Sequence, residues 1–257
     1  MNIETHLPTA SLKPFISKYL IIECQDELVN RIFPDTSLVM AFRFKGKTSY
    51  INDHERNTLP TITLSGLRKS GRLVNYAENS GNVLVIFKET GASALIREPL
   101  HELFDESIPL RDLSGYHDLS MIEDQLSAAS SNGQRVQRVE QFLLSKLYDH
   151  KTDHLIAAAI EKIRQVKGII RVKDLADTLC ISQDAFEKRF RRMAGVSPKQ
   201  FSFIVRMKAI IGNGIREHTL AETAFNAGYF DQPHFNKDFK LFTGQTPTEF
   251  LRSPARW

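Results

Sequence analysis

Cys24 and Cys180 are the only cysteines among the 257 residues. Two thiols in what read as different halves of the chain exclude a disulfide framework and point to a reducing, cytoplasmic setting. No apolar run approaches the roughly 20 residues that span a bilayer, so no membrane contact is expected. The opening residues Met1 to His6 lack a basic stretch followed by an apolar one, which speaks against a secretory signal. There is no glycine loop of the phosphate-cradling kind and no nucleophile–base pair, so neither an enzyme nor a bound cofactor is expected. His150 and His154 are four apart, but two nitrogens without a third and fourth ligand make a poor zinc site, and no metal is expected. His101 and Glu102 lie near Glu98 and Asp105 as they would in any charged loop. Arg68, Lys69 and Arg72 are compatible with an anion site, although a basic turn on a surface is the commoner arrangement.

What is present is a repeat. Phe186 aligns with Phe235 at an offset of 49, and the same offset carries Phe190 to Phe239, Gly195 to Gly244, Ser197-Pro198 to Thr246-Pro247 and Phe201 to Phe250. Lys188 and Arg191 fall on Lys237 and Lys240. Apolar, glycine, capping and basic positions recurring together mark two copies of one helical unit. Each copy begins with an amphipathic stretch, Val172–Leu179 or Leu220–Ala227, whose apolar residues keep helical spacing. A break follows, closed by Ser182 or Asp231, each suited to cap the next helix through a side-chain oxygen. That helix sets two phenylalanines four apart on one face. Gly195 and Gly244 suit a left-handed C-terminal cap, and a capping hydroxyl followed by proline restarts helix.

Helix, short turn and second helix with a basic outer face is the plan of a helix-turn-helix DNA reader. Residues 155–252 resemble the DNA-binding domain of AraC/XylS-type transcription regulators, which has two such units joined by a long helix. The run from Ala221 to Phe250 is similar to that family's signature, the first unit matches more loosely, and Phe203–Ile211 would supply the joining helix. Gly212 and Gly214 each cost a helix interior about 1 kcal/mol relative to alanine, so that helix is expected to fray or end near Asn213. The resemblance implies groove-facing residues Asp184, Ala185, Glu187, Lys188 and Arg191 in the first unit, and Gln232, Pro233, His234, Asn236 and Lys237 in the second. Glu187 can accept from cytosine N4, yet Asp184 and Glu187 repel phosphate. The second unit is therefore expected to discriminate more between bases.

Charge agrees with this reading. Residues 151–257 hold 18 Lys and Arg against 11 Asp and Glu, and residues 1–150 hold 16 against 19. A basic half beside a mildly acidic one is expected when only one of them meets polyphosphate. The implied partners are double-stranded DNA and a small-molecule effector, with RNA polymerase and a second copy of the chain as further candidates. Two alternatives belong to other classes. A methyl-accepting DNA-repair regulator with an AraC-like domain needs four zinc-binding cysteines, and this chain has two. A protein-interaction adaptor that has lost DNA binding has no use for the basic outer face.

The N-terminal half follows another period. Leu38, Met40, Phe42 and Phe44 alternate as in a strand. Further strands are expected at 60–65 and 82–88, with turns at Pro34-Asp35, Lys45-Gly46, Asn52-Asp53 and Ser80-Gly81-Asn82. Leu12, Phe15, Ile16 and Tyr19 predict a helix, as does Ala92–Arg97. Leu119, Ile122 and Leu126 mark one amphipathic helix, and Val136, Val139, Phe142, Leu143 and Leu147 a second, with a turn at Ala128–Gly133. Cys24, within Leu20–Cys24, reads as a strand cysteine. This half resembles the sensor-like domains of a subset of AraC-type proteins through Leu12–Tyr19, the Pro34-Asp35 turn and Phe87–Gly115, a likeness that names no ligand.

The expected fold class is α+β. A β-rich barrel or sandwich domain over 1–148, with helices at about 118–148, precedes an all-α domain over 149–257. The latter holds helix-turn-helix units at about 172–193 and 219–242, with Asp149–Asp153 as a linker.

Overall fold

The computed structural model describes residues 1–52, 55–148, 153–212, 215 and 219–252. Among the described residues ten strands come first: β1 (Asn2–His6), β2 (Ile16–Cys24), β3 (Leu28–Ile32), β4 (Val39–Lys45), β5 (Thr48–Asn52), β6 (Glu55–Thr58), β7 (Ile62–Ser65), β8 (Arg72–Tyr76), β9 (Ser80–Phe87) and β10 (Ser107–Pro109). They form a six-stranded sheet in the order β1-β2-β9-β4-β7-β10 and a four-stranded sheet in the order β3-β8-β5-β6. Both sheets line one interior cavity. The expected barrel or sandwich is therefore two facing sheets that do not close. Two helices follow, α1 (Ser120–Ala128) and α2 (Asn132–Lys146).

Strand alternation explains how the middle of the larger sheet packs on one face and borders the cavity on the other. Along β4, Met40 and Phe42 are fully buried, and Phe42 meets Phe142 of α2 edge-on at 5.8 Å. The intervening Val39, Ala41 and Arg43 turn to the cavity, as do Leu20 of β2 and Leu84 and Ile86 of β9. The two helical stripes thus pack on the sheet and on each other, with Ile122, Leu126, Val136, Val139 and Leu143 buried.

Three local expectations need correction. Residues 12–19 are not one helix: a turn ends at Phe15, and Ile16 opens β2. A register shift between Ile16 and Lys18 against β9 marks a β-bulge, which adds a residue and gives the buried Ile16 and Tyr19 a helix-like spacing of three. Ser80-Gly81-Asn82 is strand, because the turn falls just before it, where Asn79 takes a positive φ of 55°. The helix expected at Ala92–Arg97 is a short 3-10 turn over Gly91–Ala94.

The helical part comprises α3 (His154–Gln165), α4 (Val172–Thr178), α5 (Gln183–Ala194), α6 (Pro198–Gly212), α7 (Leu220–Asn226), α8 (Gln232–Thr243) and α9 (Pro247–Arg252). Asp153 caps α3 by accepting from the Ile156 N–H at 3.1 Å. The rest of the expected linker, with His150, lies outside the described residues, as do the expected Asp53 turn position, Asn213 and Gly214. α6 contains the expected joining stretch Phe203–Ile211 and runs to Gly212. Among the described residues no helix is long and apolar enough to cross a membrane.

The strand-rich and helical parts share one continuous buried cluster. At their seam the Phe33 ring stacks on Phe242 at 6.2 Å and lies 6.1 Å from Phe250. Arg31 Nη1 donates to the Thr243 carbonyl at 3.0 Å, and the Gly71 N–H donates to the Phe242 carbonyl, also at 3.0 Å. Lys208 pairs with Asp35 at 2.6 Å, and Arg164 pairs with Glu89. The 3-10 turn Leu100–Leu103 packs on α5. The C-terminal ends of α5 and α8 are therefore both seated on the strand-rich part.

Candidate nucleic-acid interface

The two helical units are built alike down to ring contacts. Phe186, Phe190 and Phe201 are fully buried, with centroids 5.6 and 5.4 Å apart along the series. Their counterparts Phe235, Phe239 and Phe250 stand 5.6 and 5.2 Å apart. Phenylalanines four apart on one helix face anchor α5 and α8 against the helix that follows each of them. The opposite faces are left to solvent.

The turns follow from local chemistry. After α4, Cys180 takes a positive φ of 53°, and after α7 Gly228 takes 77°. The next N–H reaches back to a helix carbonyl, Ile181 to Ala176 at 3.2 Å and Tyr229 to Ala224 at 3.0 Å, a closed helix end of the Schellman kind. Ser182 accepts from the Ala185 N–H at 3.4 Å, and Asp231 from the His234 N–H at 2.8 Å. The second turn is one residue longer, since Phe230 intervenes between Tyr229 and the cap; Phe230 is 99% exposed. Thr219 and Glu222 form a reciprocal capping box on α7. Its signal, Thr-x-x-Glu ahead of an apolar stretch, was present in the sequence and missed.

Gly195 and Gly244 close the two helices with φ of 79° and 77°. At Gly244 an added Cβ would stand 2.2 Å from Arg31 Nη1, the same atom that donates across the seam. Gly244→Ala is expected to lose about 1–2 kcal/mol from the left-handed backbone, together with some of the Arg31 contact. Gly195→Ala should lose the backbone part only, its nearest neighbour being the Leu100 carbonyl at 3.3 Å. Urea melts of the two variants measure the difference, and equal losses would mean that Arg31 yields freely.

On α5, Asp184, Ala185, Lys188 and Arg191 are exposed and Glu187 is half-buried. Glu187 is held from both sides: Gln183 Nε2 donates to it at 3.0 Å and Arg191 Nη2 at 3.3 Å. Arg191 therefore offsets the Glu187 charge, while Asp184 stands clear. Arg189, not singled out from the sequence, pairs with Asp153 and ties α5 to the start of α3. On α8, Gln232, Pro233, His234 and Lys237 are exposed and Asn236 is half-buried, with its Oδ1 enclosed and lacking a hydrogen-bond partner. The His234 ring meets Tyr229 edge-on at 5.3 Å, and its Nε2 lies 3.6 Å from Asp238. The Tyr229 hydroxyl donates to the same carboxylate at 3.0 Å, and Arg206 lies over the Tyr229 ring at 5.5 Å. His234 is thus braced against the turn, whereas Gln232 and Lys237 stand clear. All ten residues expected at the interface lie on the outer faces of these two helices, five on each.

A family model described as a helix-turn-helix domain matches residues 175–253. One described as a domain of unknown function (DUF6597) matches residues 4–109. Over 120 residues the chain is 30% identical to the Msm operon regulatory protein of Streptococcus mutans, a match covering 44% of this chain and 42% of that protein. The match thus spans under half of that relative's length. Among solved structures, ToxT from Vibrio cholerae is similar at 16% identity and a TM-score of 0.43, covering 97% of this chain and 96% of that one. A probable AraC family transcriptional regulator from Rhodopseudomonas palustris shows 25% identity and a TM-score of 0.35, covering 39% of this chain and 96% of that one. Two like units with a helix-turn-helix family model lying across them make residues 175–253 a helix-turn-helix domain, preceded by a β-rich N-terminal part.

Proposed function

We propose that the outer faces of α5 and α8 enter the major groove and read a specific operator, under control of a small molecule held in the β-rich half. In this reading Asp184, Ala185, Glu187, Lys188 and Arg191 face DNA from the first unit. Gln232, Pro233, His234, Asn236 and Lys237 face it from the second. Residues 1–148 act as the sensing domain and 149–257 as the reading domain, in a cytoplasmic setting; a second copy of the chain and RNA polymerase are further partners. The observation that carries the reading is the shared build of α5 and α8. Each spends its phenylalanines on the core and leaves polar and basic side chains outside.

Control through the β-rich half is supported by the seam. Ile32, Phe33, Pro34 and Asp35 line the cavity between the sheets. In the same segment Phe33 touches Phe242 and Phe250, and Asp35 pairs with Lys208. A ligand that binds two arrangements of this segment unequally shifts their populations by that difference in affinity.

The affinity of the full chain for duplex DNA should fall with salt. Each phosphate contact releases counterions and contributes a slope of roughly 0.9 in log K against log salt. With Lys188, Arg191 and Lys237 contributing at least three contacts, the slope should be about −3 or steeper. Fluorescence anisotropy across a salt series measures it. A flat line would remove the phosphate role of these residues, and no binding to any duplex would favour the interaction adaptor.

A further inference from the structure

Arg68 lies in a setting that its sequence context does not suggest. In the run of Arg68, Lys69 and Arg72 it reads as part of a basic surface turn, yet it is 9% exposed. It borders a cavity of about 300 Å³ between the two sheets, at the small end of the roughly 300–1,000 Å³ typical of small-molecule sites. Leu20, Ile22, Val39, Leu84 and Ile86 make most of the cavity apolar. One group of polar side chains is linked by hydrogen bonds around Arg68. Arg68 Nη2 donates to the Tyr50 hydroxyl and to Ser107 Oγ, the latter at 2.6 Å. Ser65 Oγ is 2.6 Å from Ser107 Oγ, and the guanidinium lies over the Tyr50 ring at 4.7 Å.

Among the described residues no carboxylate hydrogen-bonds to Arg68, although Asp105 and Glu106 act on it through space. Arg68 Nη1 is buried without a hydrogen-bond partner. The neighbouring carboxylate, Asp105, is already engaged by Lys69 and Arg72, each at 3.3 Å. Arg72 adds a second cation, 5.4 Å from the centroid of the same Tyr50 ring. Burial holds the Arg68 guanidinium below its ordinary pKa, although arginine remains protonated in proteins. Arg43 also borders the cavity, but its donors go to the Leu59 carbonyl at 2.8 Å and to Thr61 Oγ1 at 3.4 Å. A buried cation without an anionic partner is costly unless something else supplies the countercharge.

We propose that this cavity binds a small organic acid, with its carboxylate at Arg68 and its apolar body along Ile22, Val39, Leu84 and Ile86. The inference rests on the reading of the β-rich half as the sensing domain and names the class of molecule sensed. A carboxylate suits the planar guanidinium fork. The hydroxyls of Tyr50 and Ser65, which also line the cavity, can donate to its remaining lone pairs, and the apolar walls disfavour a small, multiply charged anion.

The experiment titrates the full-length protein with octanoate and 4-phenylbutyrate, and separately with the isosteric amides octanamide and 4-phenylbutanamide, by calorimetry and thermal shift. The acids should bind at least tenfold more tightly than the amides. Arg68→Met should erase that preference and Arg68→Lys should keep part of it. If Arg68→Met fails to fold, the comparison of acid with amide on the unaltered protein decides. Amides that bind as tightly as acids, or acids that bind Arg68→Met undiminished, would overturn the acid assignment and leave a cavity for neutral effectors. Binding of neither acids nor amides overturns the assignment as well. The DNA-reading proposal is judged apart from this, by the salt titration of the same protein without added acid or amide.

Discussion

Phe239→Ala is expected to lower stability by about 3–5 kcal/mol, the range for truncating a buried aromatic to alanine. Phe239 is fully buried between Phe235 at 5.6 Å and Phe250 at 5.2 Å, and each aromatic pair adds roughly 0.5–1.5 kcal/mol beyond area burial. Domains are commonly stable by only about 5–15 kcal/mol, so this one change would consume a large part of the total. Specific DNA binding should disappear with it, because α8 is positioned by that packing. Phe190→Ala, in the equivalent place of the first unit, should behave alike. Phe230→Ala, at a ring 99% exposed, should change stability by about 0.5 kcal/mol or less. Urea unfolding of the three variants is the measurement. A loss under about 1 kcal/mol for Phe239→Ala, against the truncation range above, would mean that the second unit is not part of the cooperative core.

The second large effect concerns base preference. Gln232→Ala should relax discrimination at one base pair by roughly 1–3 kcal/mol, the value of a paired amide contact to adenine, which is about 5- to 150-fold in relative affinity. Gln232 carries most of this expectation because it is exposed, whereas Asn236 is half-buried with Oδ1 enclosed and offers mainly Nδ2. Asn236→Ala should therefore have the smaller effect. Asp184→Ala and Glu187→Ala remove negative charge from the face proposed to approach phosphate. They should tighten binding and leave base preference intact, and Glu187→Ala should also free Arg191 for the backbone. Anisotropy against a panel of operator variants separates these outcomes. Relaxed preference in the α5 variants, with unchanged preference in Gln232→Ala, would reverse the roles of the two units.

The helical half was legible because each of its devices is local. Phenylalanines four apart, a capping oxygen three residues before the N–H it accepts from, and glycine at a left-handed close are all written within about fifteen residues. Their recurrence at a fixed offset removed the ambiguity of a single copy. The strand-rich half was legible only where alternation is long and apolar, as in β4 and β9. β1 and β6 are almost wholly exposed and show no apolar period. β10 has three residues, too few to show one. The bulge in β2 converted a strand period into a helical one. Arg68 was misjudged for another reason: its partners Tyr50 and Ser107 come from 18 and 39 residues away, and no local pattern announces them. That His234 covers the turn before its helix could be weighed from its position, but its contacts with Tyr229 and Asp238 could not.

The seam at Phe33 bears on how far the two halves can act as separate modules. Linked domains commonly rotate about their connection unless the shared surface is large and apolar. Here the contacts enter the aromatic core of the second unit, and the backbone of α8 is held by Arg31 and by the Gly71 N–H. Swinging the halves apart would bare Phe242 and Phe250 and leave two carbonyl groups in need of water. Freedom of movement then lies less in a hinge than in the connection between β3 and β4 that holds Phe33. A shift of that segment would be passed to α8 directly, because the Phe33 ring packs on Phe242 and Phe250 themselves.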